Sequence, residues 1–176
     1  MFGTKSNASN DGFEYKIGEV NISNNWNPMA HDPKEMGGFN FSKESKIIRW
    51  LIRGDTIYDV IIPEDAEVID VDHPTTPHGV FRTNKIILVN PRVVTDELAM
   101  ELYLKSDIPE KSYYKAIAGC AIRGHLKTVD KMISDKVNKD NIDLVLSEIN
   151  DFYMPDGAAG ENSRNLLKRL NEIKNS

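Results

Sequence analysis

The segment from Gly37 to Pro63, GGFNFSKESKIIRWLIRGDTIYDVIIP, constrains the fold most, because it predicts a strand, a helix and a second strand in succession. Ser42 can accept a hydrogen bond from the first free backbone N–H groups of a helix and is a natural N-cap. Glu44 adds negative charge to the first turn, where the helix dipole favours it. Gly54 suits the left-handed residue that ends a helix, and the β-rich residues 56–62 follow it. The predicted helix carries apolar residues at helical spacing, at Ile47, Ile48, Leu51 and Ile52.

Composition and charge exclude several classes of protein. The chain has 176 residues, of which 40% are hydrophobic and 28% charged, and this suits one domain or two small ones. A net charge of −5 argues against a nucleic-acid partner, which needs a basic face. The single cysteine, Cys120, permits no internal disulfide and indicates a reducing compartment. The polar N-terminus is unlike a signal peptide, and no apolar run approaches the roughly 18 residues of a membrane helix. We therefore expect a cytoplasmic protein with no membrane partner.

The order of patterns along the chain predicts an α+β fold. Residues 1–11 form a flexible tail, and residues 12–94 form a small mixed β-rich module with one inserted helix. Residues 95–176 are helical, either as a bundle or as helical hairpins, and can pack as one domain with the first module. Thr95 caps the first of these helices, with two acidic residues in its first turn, and Gly124 interrupts a later helical stretch.

A long loop, residues 23–36, is rich in Asn and Pro and has no hydrophobic period. Loops of this length are often functional. Trp26 and His31 lie in this loop, and we expect them to contact a partner protein. The alternative for Trp26 is that its ring pins the loop to the core.

Few residues suggest chemistry. His73 and His78 lie near two aspartates, but their spacing matches no standard zinc site, and we expect no bound metal. Asp59 could be a buried acid with a raised pKa, although an outward position in an alternating strand is the favoured interpretation. Cys120 could be a reactive thiol, although a buried structural cysteine is favoured. No phosphate-binding glycine loop, HExxH or GxSxG motif is present, so no catalytic residue is predicted.

The β-rich half resembles the N-terminal module that precedes ankyrin repeats in giant-virus proteins, over about residues 12–100. The residues that carry the resemblance are Gly37, Gly38, Phe41, Ser42, Gly54, Val60, Pro63, Asn84, Ile86, Ile87 and Leu88. Downstream, YKAIAGCAIRGHLKTVDKMI is similar to an ankyrin helix pair through Ala118, Gly124, His125, Leu126, Val129 and Ile133. The TPLH start and a second repeat are missing, so the unit would be a degenerate one. The resemblance implies a non-enzymatic protein-interaction module of viral, phage or mobile-element type, without a cofactor. An inhibitor of a host or defence protein is one form that it could take.

A second resemblance leads to an alternative function. GGFNFSKESKIIRWL followed by a strand is similar to the middle of ADP-ribosyltransferase folds, in which Ser42 would match the strand-end Ser or Thr and Phe41 its aromatic neighbour. This resemblance implies an NAD-binding enzyme with its pocket near Tyr15, Phe41, Ser42 and Trp50. The chain departs from that family, because FEYKIG has no His or Arg at the NAD-binding position and the late strand has no Glu-x-Glu or Gln-x-Glu pair.

Overall fold

The structure, a computed structural model, describes residues 13–30, 32, 35–71, 79–150 and 157–176. The predicted α+β fold is confirmed: two small antiparallel sheets occupy the N-terminal half and helices follow. The chain divides into two compact units. The first unit combines Met1–Lys43 with Gly54–Val93, and the second combines Glu44–Arg53 with Val94–Ser176. The helix of the central segment therefore groups with the C-terminal helices, while its two flanking strands belong to the first unit.

The described residues of the first unit form six strands. They are β1 (Val20–Ile22), β2 (Phe39–Ser42), β3 (Thr56–Ile61), β4 (Val68–Asp70), β5 (Val80–Thr83) and β6 (Lys85–Val93). The first sheet has the order β1-β6-β3 and the second has the order β2-β5-β4, with every neighbour antiparallel. Side chains alternate across a strand, and this alternation is clear in β1, where the buried Asn21 lies between exposed neighbours, and at the start of β6, where Ile86 and Leu88 are buried.

The core of the first unit is aromatic and aliphatic. Ile86 and Leu88 of β6 point inward and pack with Tyr15 and Phe39, and further apolar side chains complete the cluster: Phe13, Phe41, Tyr58, Val60 and Ile62. The Phe13 and Phe39 rings meet edge to face with centroids 5.2 Å apart. Ile86 and Leu88 of β6 and Val60 of β3 lie on the core side, so Ile87 and Ile61, which follow them in the chain, face outward.

The central helix differs from the sequence-based prediction. It is a 3₁₀ helix over Glu44–Arg53, and Ser42 lies outside it as the last residue of β2. The Ser42 hydroxyl has no hydrogen-bond partner among the described residues, so the predicted N-cap is wrong. Two β-branched isoleucines in the buried stripe, Ile47 and Ile48, contribute to this outcome because they lower the preference for a regular α-helix.

In the part of the second unit that the structure describes, five α-helices follow the 3₁₀ helix. They are α1 (Asp96–Leu104), α2 (Glu110–Ile122), α3 (Leu126–Lys136), α4 (Ile142–Asn150) and α5 (Gly157–Asn175). Helix α2 is central and packs against the 3₁₀ helix, α3, α4 and α5. A Cβ atom on Gly119 would lie 3.2 Å from Cβ of Ile52, so the missing side chain lets α2 approach the 3₁₀ helix closely. Among the described residues, no helix is both long and apolar enough to cross a membrane.

Candidate protein-interaction face

An aliphatic surface covers the side of the first sheet that points away from the core. We call it the outer face and define it by Val20, Ile22, Ile61, Ile87 and Val89. In the register of the sheet, Ile87 of β6 pairs with Val20 on one side and with Ile61 on the other. These three residues form one straight row across all three strands, with directly opposed side chains about 5 Å apart.

The outer face is open to solvent. Val20 is 48% exposed, Ile61 is 50% exposed and Ile22 is 59% exposed, while Ile87 and Val89 are half-buried. Single exposed apolar residues are normal on protein surfaces, but a contiguous group of them marks a candidate interaction site. Five β-branched residues on one face of a three-stranded sheet form such a group.

An inward-facing asparagine fixes the orientation of β1. Asn21 is buried, and both the oxygen and the nitrogen of its side-chain amide form hydrogen bonds with backbone atoms. Its Oδ1 accepts from the backbone N–H of Lys16 at 2.8 Å, and its Nδ2 donates to the carbonyl of Lys16 at 2.9 Å. A slip of one residue would expose this amide and bury its neighbours. The hydrogen bonds of Asn21 therefore hold Val20 and Ile22 on the outer face.

Ion pairs border the outer face. Lys85 pairs with Asp65 beside Ile22 at one end of the sheet. At the other end Arg92 Nη2 lies 3.0 Å from Asp59 Oδ1. An apolar centre with a charged rim is the usual anatomy of a protein–protein interface. The outward position of Asp59 confirms the interpretation of this residue as a solvent-facing one.

The two units differ in charge. Among the described residues, the first unit carries twice as many acidic as basic side chains, whereas basic side chains slightly outnumber acidic ones in the second unit. The acidic excess surrounds the unit that holds the outer face, so this unit attracts basic surfaces and repels acidic ones.

Trp26 pins its loop to the first unit. A Cβ atom on Gly38 would lie 2.5 Å from the Trp26 ring, so the indole packs directly on that glycine. The indole N–H donates to Glu67 Oε2 at 2.8 Å, and the backbone N–H of Gly38 donates to Ser23 Oγ at 3.2 Å. These contacts match the loop-pinning alternative, and the role of Trp26 in partner binding stays a prediction. His31 lies outside the described residues, as do His73 and His78.

The residues proposed to surround NAD have other surroundings in the structure. The Tyr15 ring lies in the core of the first unit, 5.4 Å from that of Phe39. Phe41 stacks on Phe81 at 5.1 Å. Trp50 belongs to the second compact unit, where Arg49 lies 5.2 Å over its ring. Tyr15 and Phe41 are therefore accounted for by packing within the first unit.

Cys120 is a structural residue, as the favoured interpretation predicted. It is fully buried on α2. Burial, with a smaller contribution from the Asp96 carboxylate, raises the pKa of the thiol to about 12. A reactive cysteine needs the thiolate, so this side chain is not poised for nucleophilic chemistry. Among the described residues, no cluster of three or more His, Cys, Asp or Glu side chains could hold a metal ion.

The structure also brings together Asp96 and His125, a pair that the sequence patterns did not connect. The Asp96 carboxylate accepts from the backbone N–H of Lys127 at 2.9 Å and of Thr128 at 3.0 Å, and from Thr128 Oγ1 at 2.7 Å. It therefore satisfies free donors at the start of α3 from a different helix. His125 directly precedes α3 and is only 6% exposed. The sequence offered the Gly-His-Leu signal at α3, but nothing indicated that the first acidic residue of α1 would reach it.

No protein-family model matches the chain, and the searches of curated proteins and of solved structures gave no match.

Proposed function

We propose that this protein is a non-enzymatic protein-interaction module that binds a partner protein through the outer face of its first sheet. The observation that carries the proposal is the exposed row of Val20, Ile87 and Ile61, which crosses all three strands. Removing aliphatic surface from water contributes about 25 cal/mol per Å², so covering this row supplies a driving force for association. Origin from a virus, phage or mobile element, and action on a host or defence protein, are hypotheses that rest on the resemblance to giant-virus modules alone.

The charges around the face describe the kind of partner that it fits. An acidic unit favours a partner whose apolar contact surface is bordered by Lys and Arg. The ion pairs of Lys85 and Arg92 at the rim can exchange partners on docking and so contribute to specificity. An ADP-ribosyltransferase-like enzyme that binds NAD is the alternative, and no contact of Tyr15, Phe41 or Ser42 in the structure favours it.

The test replaces the three aliphatic residues of the exposed row with threonine, which should leave the strands intact. In the variant V20T/I61T/I87T each side chain stays β-branched, so strand preference is kept while apolar surface is lost. The matched control, L104Q/L126Q/L144Q, removes three exposed leucines from the helical unit. We expect the full-length protein and the control to retain the same partner in quantitative affinity capture, and the threonine variant to lose it by at least tenfold.

Two further measurements make the outcome decisive. Urea unfolding of the threonine variant should give a stability within about 1 kcal/mol of the wild type, because surface substitutions have small effects. Equal capture by the wild type and the folded threonine variant would remove the outer face from the proposal. A thermal shift on addition of millimolar NAD would favour the enzyme alternative, since a ligand of the native state must raise its stability.

A further inference from the structure

A buried histidine stands where three helices of the second unit meet. The backbone N–H of His125 donates to the carbonyl of Cys120 on α2 at 2.9 Å, and its carbonyl accepts from Val129 on α3 at 3.0 Å. The Nε2 atom of its ring is buried and has no hydrogen-bond partner among the described residues. A neutral imidazole tolerates this position far better than an imidazolium, which carries a second N–H donor and a charge.

The charges that face His125 come from α1 and from the end of α2. Burial lowers its pKa from the ordinary value of 6.5, the Asp96 carboxylate opposes this effect in part, and Arg123 lowers the pKa further. Arg123 is held in place because its Nε and Nη2 donate to the carbonyl of Ile52 at 3.1 and 2.6 Å. On α3 itself, Lys127 pairs with Glu97 at 3.7 Å. Asp96 is therefore the carboxylate whose charge acts on the ring in favour of its protonated form.

The same carboxylate is already engaged by α3. Its contacts with Lys127 and Thr128 satisfy the first turn of that helix, and they depend on both of its oxygens. Burial would raise the pKa of Asp96, but the hydrogen bonds from Thr128 and Lys127 outweigh this effect and lower it below 3.8. Asp96 thus stays ionised in mild acid, when the imidazole takes up a proton.

We propose that Asp96 and His125 form a proton-sensitive latch between α1 and α3, which is closed at neutral pH and opens in mild acid. When His125 takes up a proton, a charged N–H donor is placed in a buried site. The imidazolium then competes with Lys127 and Thr128 for the Asp96 carboxylate, which holds the first turn of α3. The corner formed by α1, the end of α2 and α3 then loosens. A conformational response of the helical unit to acid goes beyond the proposed interaction function and uses different residues.

The direction of the pH effect follows from the lowered pKa. A native-state pKa below the value of the unfolded chain means that the stability contribution is complete above about pH 6.5. It is lost as the pH falls through the lowered native value. One proton is involved, so the opening equilibrium should increase by at most about tenfold per pH unit within this window. Asp96 titrates below 3.8 and so does not contribute there.

Cys120 supplies a built-in reporter of the opening. It is the single cysteine of the chain and is fully buried beside the latch. Labelling with 4,4′-dithiodipyridine measures how often the thiol becomes accessible, after division by the rate for the urea-unfolded protein at the same pH. For the full-length protein we expect the corrected rate to rise several-fold between pH 7.5 and pH 5.5. A corrected rate that does not change with pH would overturn the proposal.

Two variants assign the effect to His125. H125Q keeps a polar side chain without a titrating group, and its corrected labelling rate should not depend on pH in this range. H31Q/H73Q/H78Q removes the other three histidines and should respond like the wild type. If H125Q does not fold, hydrogen exchange of the wild-type protein, followed by mass spectrometry and corrected for intrinsic rates, still tests the proposal. Between pH 7.5 and pH 5.5, exchange should accelerate more in residues 126–136 than in β6. Uniform acceleration in both segments would indicate global acid unfolding and would contradict a local latch.

Discussion

The two units depart from simple burial rules in opposite ways. The first unit leaves a row of aliphatic side chains in water, whereas the second unit buries His125 and joins α1 to α3 through the half-buried carboxylate of Asp96. Exposed aliphatic groups cost the folded state little, because they are also exposed in the unfolded chain. Buried polar groups reduce stability unless they are hydrogen-bonded. The first unit therefore leaves its unusual feature accessible at the surface, and the second unit uses its unusual feature for internal stability.

The largest effect that tests this comparison is expected at Asp96. The substitution Asp96→Ala leaves the backbone N–H groups of Lys127 and Thr128 without their acceptor, while the Thr128 hydroxyl keeps the backbone carbonyl of Asp96 at 3.0 Å. Hydrogen bonds to charged groups are individually strong, so we expect a stability loss of about 3 kcal/mol in urea unfolding. Asp96→Asn keeps one acceptor oxygen and should lose less.

A surface carboxylate serves as the control for Asp96. Asp143 is exposed and pairs with Lys174 at 2.7 Å, and exposed pairs of this kind contribute at most about 1 kcal/mol. Asp143→Ala should therefore cost clearly less than Asp96→Ala. Similar losses for the two variants would mean that the second unit does not depend on its buried polar contacts.

The sequence predicted the fold where a pattern is local. The order of patterns along the chain predicted a β-rich half followed by helices, and the structure has this order. Thr95 accepts from the backbone N–H of Leu98 at 3.2 Å, as its position before α1 predicted. Ser42 carries the same local signal, yet β2 extends through it and its hydroxyl has no hydrogen-bond partner among the residues that the structure describes. Ser42 ends a strand instead of capping a helix because β2 pairs with β5, and this pairing depends on residues about 40 positions away.

The candidate sites could be predicted only in part, for the same reason. The apolar residues of β3 and β6 are visible in the sequence, but which of them face outward, and their alignment with Val20, depend on strand order and register. The contact of Asp96 with Thr128 spans 32 positions and joins two helices. No periodicity reports it, because both residues look like ordinary first-turn residues of their own helices.

A smaller effect is expected where Trp26 packs on Gly38. Gly38 has a φ of +72°, and a Cβ atom there would lie 2.5 Å from the Trp26 ring and 2.8 Å from the Thr83 carbonyl. Gly38→Ala should cost about 2 kcal/mol, because it combines a strained backbone with overpacking. Gly18→Ala is the matched control, since Gly18 has a φ of +78° and open space around it.

The difference between the two glycine variants measures the steric cost of the contacts with the Trp26 ring and the Thr83 carbonyl. Gly18→Ala should show the backbone cost alone, about 1 kcal/mol. Adding Trp26→Ala to Gly38→Ala should recover part of the loss, since the ring is the nearest obstacle. Equal losses at the two glycines would show that the ring can move away freely, and Trp26 would then be better placed to contact a partner than to hold its loop.

The smallest effect is expected at Ser42, and it tests the comparison of the two units most directly. It lies in the first unit, yet its hydroxyl is buried without a described partner. Loss of a helix cap would cost about 1 kcal/mol, whereas removal of an unsatisfied buried hydroxyl should leave stability unchanged or slightly raised. We therefore expect Ser42→Ala to unfold at the wild-type urea midpoint or slightly above it. Thr95→Ala should show the full capping loss. A loss at Ser42 as large as that at Thr95 would mean that its hydroxyl has a stabilising partner after all.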